Sequence, residues 1–373
     1  MKEGWTYKKL GEVCKIDYGT RVVRSRDAGS KYPVYGGGGA TFKMDTYNRE
    51  DCMIVSRFAM SEQCTRFVKG KFFLNDSGLS VSTKEDKLSQ VFLNWQIIAL
   101  NNAIYKLGRG TAQKNLDTKA FGDLGIVYPP LSEQQRIVSR LDSAFAHIDA
   151  LKANAKKQLD DAKALFQKAL TEAMEPKEGW EKKKLGDICS DIRYGTSIPS
   201  NENGEYKYLR MNNITNDGFL DVSHYKKISL PEKELEKCLV KRGDIIFNRT
   251  NSRELVGKSC VFTEDEKMVI AGYLIRIRLI EGFEPQFITY NMNLQRSLGL
   301  FQHLIVGAVH QANISANNIQ KVIISYPPLS EQQAIVAQLD QLSEKIKKLE
   351  ETQEKTIKEC DALKQAILRE VFK

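Results

Sequence analysis

Tyr128-Pro129-Pro130-Leu131-Ser132-Glu133-Gln134-Gln135 opens a stretch that contains no further proline until residue 176. The same eight residues return as Tyr326-Pro327-Pro328-Leu329-Ser330-Glu331-Gln332-Gln333, and no proline comes after them. Paired prolines stop whatever precedes them and leave the chain free to start a helix. Ser132 and Ser330, each with a glutamine three residues on (Gln135, Gln333), fit a capping box and predict helix starts at those serines. The stretches beyond them carry apolar residues at heptad spacing. The first has Leu141, Ile148, Ala155, Ala162 and Ala169, with Phe145, Leu159 and Phe166 beside them. The second has Leu339, Ile346, Cys360 and Ile367, with Leu342, Leu349 and Leu363. Helices over 131–175 and 329–373 would each run about 65 Å at 1.5 Å per residue. Each stripe needs a partner, and the other stripe is the one at hand.

The repetition extends upstream. Lys2-Glu3-Gly4-Trp5 answers Lys177-Glu178-Gly179-Trp180, Lys8-Lys9-Leu10-Gly11 answers Lys183-Lys184-Leu185-Gly186, and Tyr18-Gly19-Thr20 answers Tyr194-Gly195-Thr196. A period of 175 residues at the front and 198 at the back is too long for a solenoid and marks a duplicated domain. The expected class is α+β: mixed α/β globular modules at 1–130 and 176–328, joined by long helices at 131–175 and 329–373. A two-fold relation between the repeats makes those helices an antiparallel coiled coil with a globular module at each end.

The 373 residues are 42% hydrophobic and 28% charged, which suits a folded chain rather than a disordered one. No apolar run reaches 18 residues, so no membrane span is expected, and Met1–Trp5 lacks the apolar core of a signal peptide. Seven scattered cysteines without a Cys-x-x-Cys read as reduced thiols, and a cytoplasmic location is expected. The four histidines do not sit with cysteines at ligand spacing, so no metal site is expected. Of the net charge of +9, residues 1–130 carry +7 and 176–328 carry +3, while the helices together carry −1. Two basic modules on charge-balanced helices suit a long polyanion.

Catalytic motifs are missing. Gly36-Gly37-Gly38-Gly39 is not closed by Gly-Lys-Ser/Thr, and Gly257-Lys258-Ser259 has Ser252 where a phosphate loop needs its first glycine. Tyr-Pro-Pro lacks the asparagine and the following aromatic of an amino-methyltransferase motif. No nucleophile–histidine–acid arrangement is visible, so no catalytic residue is assigned. What recurs is polar. Gly110-Thr111-Ala112-Gln113-Lys114-Asn115-Leu116 aligns with Ala308-Val309-His310-Gln311-Ala312-Asn313-Ile314. Gly243-Asp244-Ile245-Ile246-Phe247 reads as a turn and strand delivering Asn248-Arg249-Thr250-Asn251-Ser252-Arg253 into an exposed loop, and Ser56-Arg57 comes after Cys52-Met53-Ile54-Val55 in a comparable place. Arginine, asparagine and glutamine make the two-pronged contacts that read base edges in the major groove. Arg249 and Asn251 are therefore expected base readers. The same residue types also tie down loops by side chain–backbone bonds, and Gln113, Asn115, Gln311 and Asn313 fit either role.

The duplicated Trp-x-x-x-x-Leu-Gly opening, Gly-Asp-Ile-Ile-Phe-x-Arg, Gln-x-Asn-Ile/Leu and the repeated Pro-Pro-Leu-Ser-Glu-Gln-Gln entrance resemble the specificity subunit of type I restriction-modification enzymes over essentially the whole chain. The first module lacks a clear Gly-Asp-Ile-Ile-Phe-x-Arg. The resemblance implies a non-catalytic subunit whose two target-recognition domains each read half of a bipartite, asymmetric double-stranded DNA site. It implies partners: two methyltransferase subunits and ATP-driven motor–nuclease subunits. S-adenosylmethionine, ATP and Mg2+ would be bound by those partners and no cofactor by this chain. The expected DNA contacts are Tyr18, Thr20, Arg21, Arg24, Gly37, Gly38, Arg57, Arg109, Thr111, Gln113, Lys114 and Asn115 in the first module. In the second they are Tyr194, Thr196, Arg210, Asn212, Asn213, Arg249, Thr250, Asn251, Ser252, Arg253, His310, Gln311 and Asn313. The competing readings are a DNA-binding scaffold unconnected with modification and a self-contained DNA methyltransferase or nuclease. Co-purification with a methyltransferase separates the first, and S-adenosylmethionine binding the second.

Overall fold

A computed structural model describes residues 4–111, 113–308 and 311–372. The chain divides into two compact units, residues 1–157 with 352–373, and residues 158–351. The prolines open two helices of 43 residues, Leu131–Ala173 and Leu329–Val371, so each unit contains part of both.

In the first unit a six-stranded sheet runs in the order Cys14–Tyr18, Gly78–Thr83, Arg49–Ser56, Thr65–Leu74, Tyr32–Tyr35, Lys43–Met44. Side chains alternate between its two faces, and both faces are covered, with Ile54, Val68, Phe72 and Leu74 clustered on the face opposite Met53 and Val55. Met53, Val55, Leu79 and Val81 point into a core with Leu10, Phe92, Leu93 and Phe121. The strand Thr6–Lys9 pairs antiparallel with Gly125–Tyr128, bringing the front of the module to the helix entrance. Beyond it, Leu141, Phe145 and Leu368 pack together. Lys152 bonds Asp361 at 2.6 Å and Lys364 bonds Asp149, so the two helical segments run antiparallel within this unit.

The second unit repeats the plan with more strands. One sheet has the order Cys189–Tyr194, Leu274–Leu279, Ile245–Asn248, Ser259–Val261. Another has Lys226–Ile228, Tyr206–Leu209, Met268–Ile270, Leu239–Val240. Glu181–Lys184 pairs with Ile323–Tyr326 in the register that Thr6–Lys9 keeps with Gly125–Tyr128. Leu170 and Met174 share a core with Ile335 and Leu339, and Lys163 faces Glu350 at 3.8 Å, which makes the helical segments antiparallel here too.

Two expectations from the helix sequences change. Helix formation starts at Leu131 and Leu329, not at the serines. The carbonyl of Pro130 accepts from the amides of Glu133 and Gln134, and that of Pro328 from Glu331 and Gln332. Proline therefore occupies the N-cap, and Ser132, Ser330, Gln135 and Gln333 are exposed. Leu363 is also exposed, at 50%. The apolar seam passes through Cys360, Lys364 and Leu368, four residues apart, and 363 falls about 100° away from 364. Lys364 covers the seam with its stem while its ammonium lies 5.0 Å over the Phe145 ring.

The buried residue at each entrance is the other glutamine. Gln134 is fully buried, and its amide donates to the carbonyls of Pro129 and Lys87, both at 2.7 Å, and accepts from the Ser89 amide at 2.8 Å. Gln332 donates to the Pro327 carbonyl at 2.9 Å and accepts from the Glu284 amide at 3.0 Å. Ser89 and Glu284 are the N-caps of the helices Gln90–Ala99 and Pro285–Ser297, whose first amides lack helical partners. One side chain thus joins each module to its long helix. Eight residues on, Asp142 accepts from the Trp95 indole at 3.0 Å and Asp340 from the Tyr290 hydroxyl at 2.6 Å, adding a second tie on the same helix face. Replacing Gln332 by Leu strands a buried amide and a buried carbonyl, so stability should fall by about 1–3 kcal/mol. The exposed neighbour Gln333→Leu should stay within about 0.5 kcal/mol. Urea unfolding monitored by circular dichroism checks the pair, and equal losses would contradict the latch.

Candidate nucleic-acid interface

The strand Arg49–Ser56 is separated from Cys14–Tyr18, which ends in Tyr18, by the single strand Gly78–Thr83, and Arg57 is the next residue. The Arg57 guanidinium lies 4.7 Å over the Tyr18 ring and 4.4 Å over the Phe58 ring, and it donates to the Asp76 carbonyl at 3.4 Å. Its backbone is fixed on both sides, by donation to Ser77 at 2.7 Å and acceptance from Leu116 at 2.8 Å. In the other unit Ile245–Asn248 delivers Arg249 to the same frame. The guanidinium lies 4.8 Å over the Tyr194 ring and donates to the Gly272 carbonyl at 3.3 Å. The Arg249 backbone donates to Tyr273 at 3.0 Å and accepts from Ile314 at 2.9 Å. Each hydrogen bond has its counterpart.

That correspondence supplies the strand whose motif is not evident in the first module. Asp51 to Arg57 stands where Gly243 to Arg249 stands, and Asp51 has φ of 43° where Gly243 has 89°. Gly243 precedes its strand, whereas Asp51 lies within Arg49–Ser56 where the pairing register with Thr65–Leu74 shifts, and aspartate tolerates the left-handed region better than most residues. Asp51 also accepts from the Gly70 amide at 2.7 Å, which holds the bend.

A second pair of segments occupies equivalent places with unlike chemistry. Tyr32–Tyr35 lies parallel to the end of Thr65–Leu74, and Tyr206–Leu209 lies parallel to Met268–Ile270. Tyr35 accepts from the Asn75 amide at 2.8 Å and Leu209 from the Ala271 amide at 2.9 Å. The chain then continues as Gly36-Gly37-Gly38-Gly39 in one unit and as Arg210-Met211-Asn212-Asn213 in the other.

Several expected contacts sit at the surface. Thr20, Arg21, Arg24, Gly38, Thr111, Gln113, Asn115, Asn212, Arg253 and Gln311 are exposed. Arg109 is exposed and paired with Asp117, and Lys114 lies 4.0 Å over the Tyr105 ring. Tyr18 and Tyr194 are 52% and 42% exposed, leaving one ring face to the arginine and part of the ring to solvent. Ser252 and Asn251 are half-buried, with the Asn251 side chain accepting from the Ser252 amide at 2.8 Å. His310 lies outside the described residues.

Other expected contacts face inward. Thr196 is buried and its hydroxyl holds the Ile198 amide at 3.2 Å. Asn213 is buried and bonds Arg210, Asp221 and His224 backbone groups. Gly37 is buried, and a Cβ there would meet the Phe58 carbonyl oxygen at 2.4 Å, so it is a packing glycine. The Arg249–Arg253 segment is not a free loop either. Thr250–Asn251 is a short strand paired with Gln311–Asn313, and the buried Thr250 hydroxyl donates to the Asn313 side chain at 2.6 Å. Arg249 is half-buried beneath Tyr194. Thr196, Asn213 and Thr250 have their polar atoms satisfied inside and none to offer a base edge. Asn213→Ala should accordingly cost about 1–3 kcal/mol of stability, because two carbonyls and an amide lose partners. The exposed Asn212→Ala should cost under about 0.5 kcal/mol. Thermal melts compare them, and a stable Asn213→Ala protein would contradict the inward assignment.

The arginine–tyrosine stack is the feature that reading the sequence misses. The identical Tyr-Gly-Thr segments signal it, but nothing local to them says that residue 57 or 249 lies on the ring. Among the described residues no group of three metal-ligating side chains converges. All seven cysteines are free, with burial pushing the Cys14 thiol up to about 12, so it stays protonated.

The sequence profile of the type I restriction modification DNA specificity domain matches residues 2–161 and again 177–359. The chain belongs to that family. Type I restriction-modification specificity proteins are also its relatives among characterised sequences. It is 27% identical over 288 residues to the EcoKI specificity subunit of Escherichia coli K12 and 26% identical over 288 residues to the StySPI specificity subunit of Salmonella potsdam. In both cases the match takes in 73% of this chain and 62% of the relative, so it spans less than two thirds of their length. Among solved structures, a chain from work on complex assembly and conformational transition of the type I R-M system superposes with a TM-score of 0.77 at 21% identity. That match covers 100% of this chain and 98% of the other. The HsdS subunit of Thermoanaerobacter tengcongensis gives 0.52 at 20%, covering 100% and 97%. At these identities the likeness is one of fold, and it agrees with a duplicated specificity fold of mixed sheets and long helices.

Proposed function

We propose that this chain is the DNA-reading subunit of a type I restriction-modification complex, recognising a bipartite, asymmetric double-stranded site and carrying no catalytic groups of its own. The observation that carries the reading is duplication with divergence. Two modules present the same backbone frame and the same latch to equivalent helix entrances, yet differ in the segments set on that frame. Equivalent joints suit identical partners, and unlike segments suit unlike half-sites. Two methyltransferase subunits supply adenine modification with S-adenosylmethionine, and motor–nuclease subunits supply ATP- and Mg2+-dependent cleavage. Lysine and arginine on both modules provide the attraction for phosphates that supports binding to any duplex. Exposed asparagine, glutamine and arginine side chains provide the groups that distinguish bases.

In this reading the paired helices are the spacer between the two readers, and a coiled coil suits the part because its seam is stiff and periodic. Removing one heptad from either helix should abolish recognition of the original site or shift it to a different spacer, while each half-site keeps its base preference. The measurement is methylation of a DNA library in which both half-sites and the gap between them are varied, using the chain assembled with its methyltransferase. Undiminished methylation at the original gap would contradict the spacer role.

A further inference from the structure

The two modules are alike in one place and unlike in another, and the difference has a functional meaning. Alike are Tyr18 with Arg57 and Tyr194 with Arg249. The ring-to-guanidinium distances are 4.7 and 4.8 Å, and the backbone bonds flanking each arginine match one for one. Unlike are the segments that leave Tyr35 and Leu209: four glycines against Arg210-Met211-Asn212-Asn213. If the half-sites differ, what is the same in both modules cannot encode the difference.

We infer that Arg57 and Arg249 are sequence-blind clamps on the DNA phosphates, and that base discrimination lies in the unlike segments, with Asn212 a reader in the second module. The inference rests on the DNA-reading function proposed above. The arginine geometry supports it. A guanidinium that reads guanine needs two free parallel N–H groups. Here each guanidinium lies on a tyrosine ring and commits one of its five N–H groups to a backbone carbonyl, Asp76 or Gly272, and the Arg249 Nε–H is itself buried, which leaves a narrower set of N–H groups to aim at a base edge. Its full charge remains, held rigidly and half-buried, which suits a phosphate oxygen. Stacking also lowers the side-chain freedom lost on binding. At the unlike segments the first module presents bare backbone: Gly38 has open space around its Cβ position. The second module presents the exposed Asn212 amide, which can bond adenine with two prongs.

The test uses the complex assembled with its methyltransferase and compares wild type with Arg57→Ala, Arg249→Ala, Arg249→Lys and Asn212→Ala. Binding is measured against salt, and base preference by methylation of a library randomised across both half-sites. Each alanine at 57 or 249 should weaken binding to all sequences alike by about ten- to a hundredfold. It should also reduce the salt slope by about one and leave both base-preference profiles unchanged. Arg249→Lys, which keeps the charge and guards against a folding defect, should restore most of the affinity with the same profile. Asn212→Ala should relax preference at one position of one half-site. Relaxed preference in Arg57→Ala or Arg249→Ala, or in Arg249→Lys with affinity retained, overturns the clamp, as does an unchanged salt slope in the alanine variants. An unchanged profile in Asn212→Ala overturns the placement of discrimination. Failure of the wild-type complex to prefer any sequence would instead defeat the proposed function itself.

Discussion

A buried glutamine amide at the mouth of each long helix is the interaction on which the rest of this protein depends. Gln134 and Gln332 stand one residue past Glu133 and Glu331, in a turn that the paired prolines force to begin there. Each satisfies a carbonyl of its own proline and an amide at the start of a module helix. Buried polar groups are costly unless paired, so the module and the helix can meet only in the orientation that pairs them. Asp142 and Asp340 fix the same joint eight residues on. A module attached through two such points cannot swivel, as the proposed reading of separated sites requires.

The joint is copied with little change, while the modules it carries have diverged. The largest sheet of the first unit has six strands and the largest two of the second have four each, yet both units hold an arginine on a tyrosine at the end of an interior strand. Sheet strands alternate their side chains, so a change in strand number need not disturb the residue at a strand's end. Within the diverged segments Gly37 and Asn213 are buried and held in place, whereas Gly38 and Asn212 are exposed, and at such exposed positions new side chains cost little stability. Fixed attachment and free variation are thus separated in the structure by where burial stops.

Much of this is legible in the sequence because repetition and periodicity are strong signals. The octets, the heptads and the Trp-to-Gly openings announce two modules and two helices without reference to any contact. The errors lie where the decisive partner is distant in sequence. Ser132 and Gln135 match a capping box, but Pro130 already accepts the first helical bonds, and Gln134 is held by Ser89 and Lys87, more than forty residues away. Thr250 and Asn251 read as an exposed loop because nothing nearby shows that residues 311–313 will pair with them. Leu363 is apolar and near the right phase, yet Lys364 takes the seam because its ammonium finds Asp149 on the facing segment. Tyr18 and Arg57 each stand out as candidates, but that one lies upon the other is clear only from the pairing of Cys14–Tyr18 with Gly78–Thr83 and of that strand with Arg49–Ser56.

The central claim is that one chain reads two different half-sites through two modules. Sequencing methylated adenines in a genome that carries this gene, beside one from which it has been deleted, tests it most directly. The account predicts a gene-dependent motif in two unlike parts, separated by a gap of fixed length in which no base is preferred. A continuous motif, a palindrome with identical halves, or a methylation pattern indifferent to the gene would contradict it.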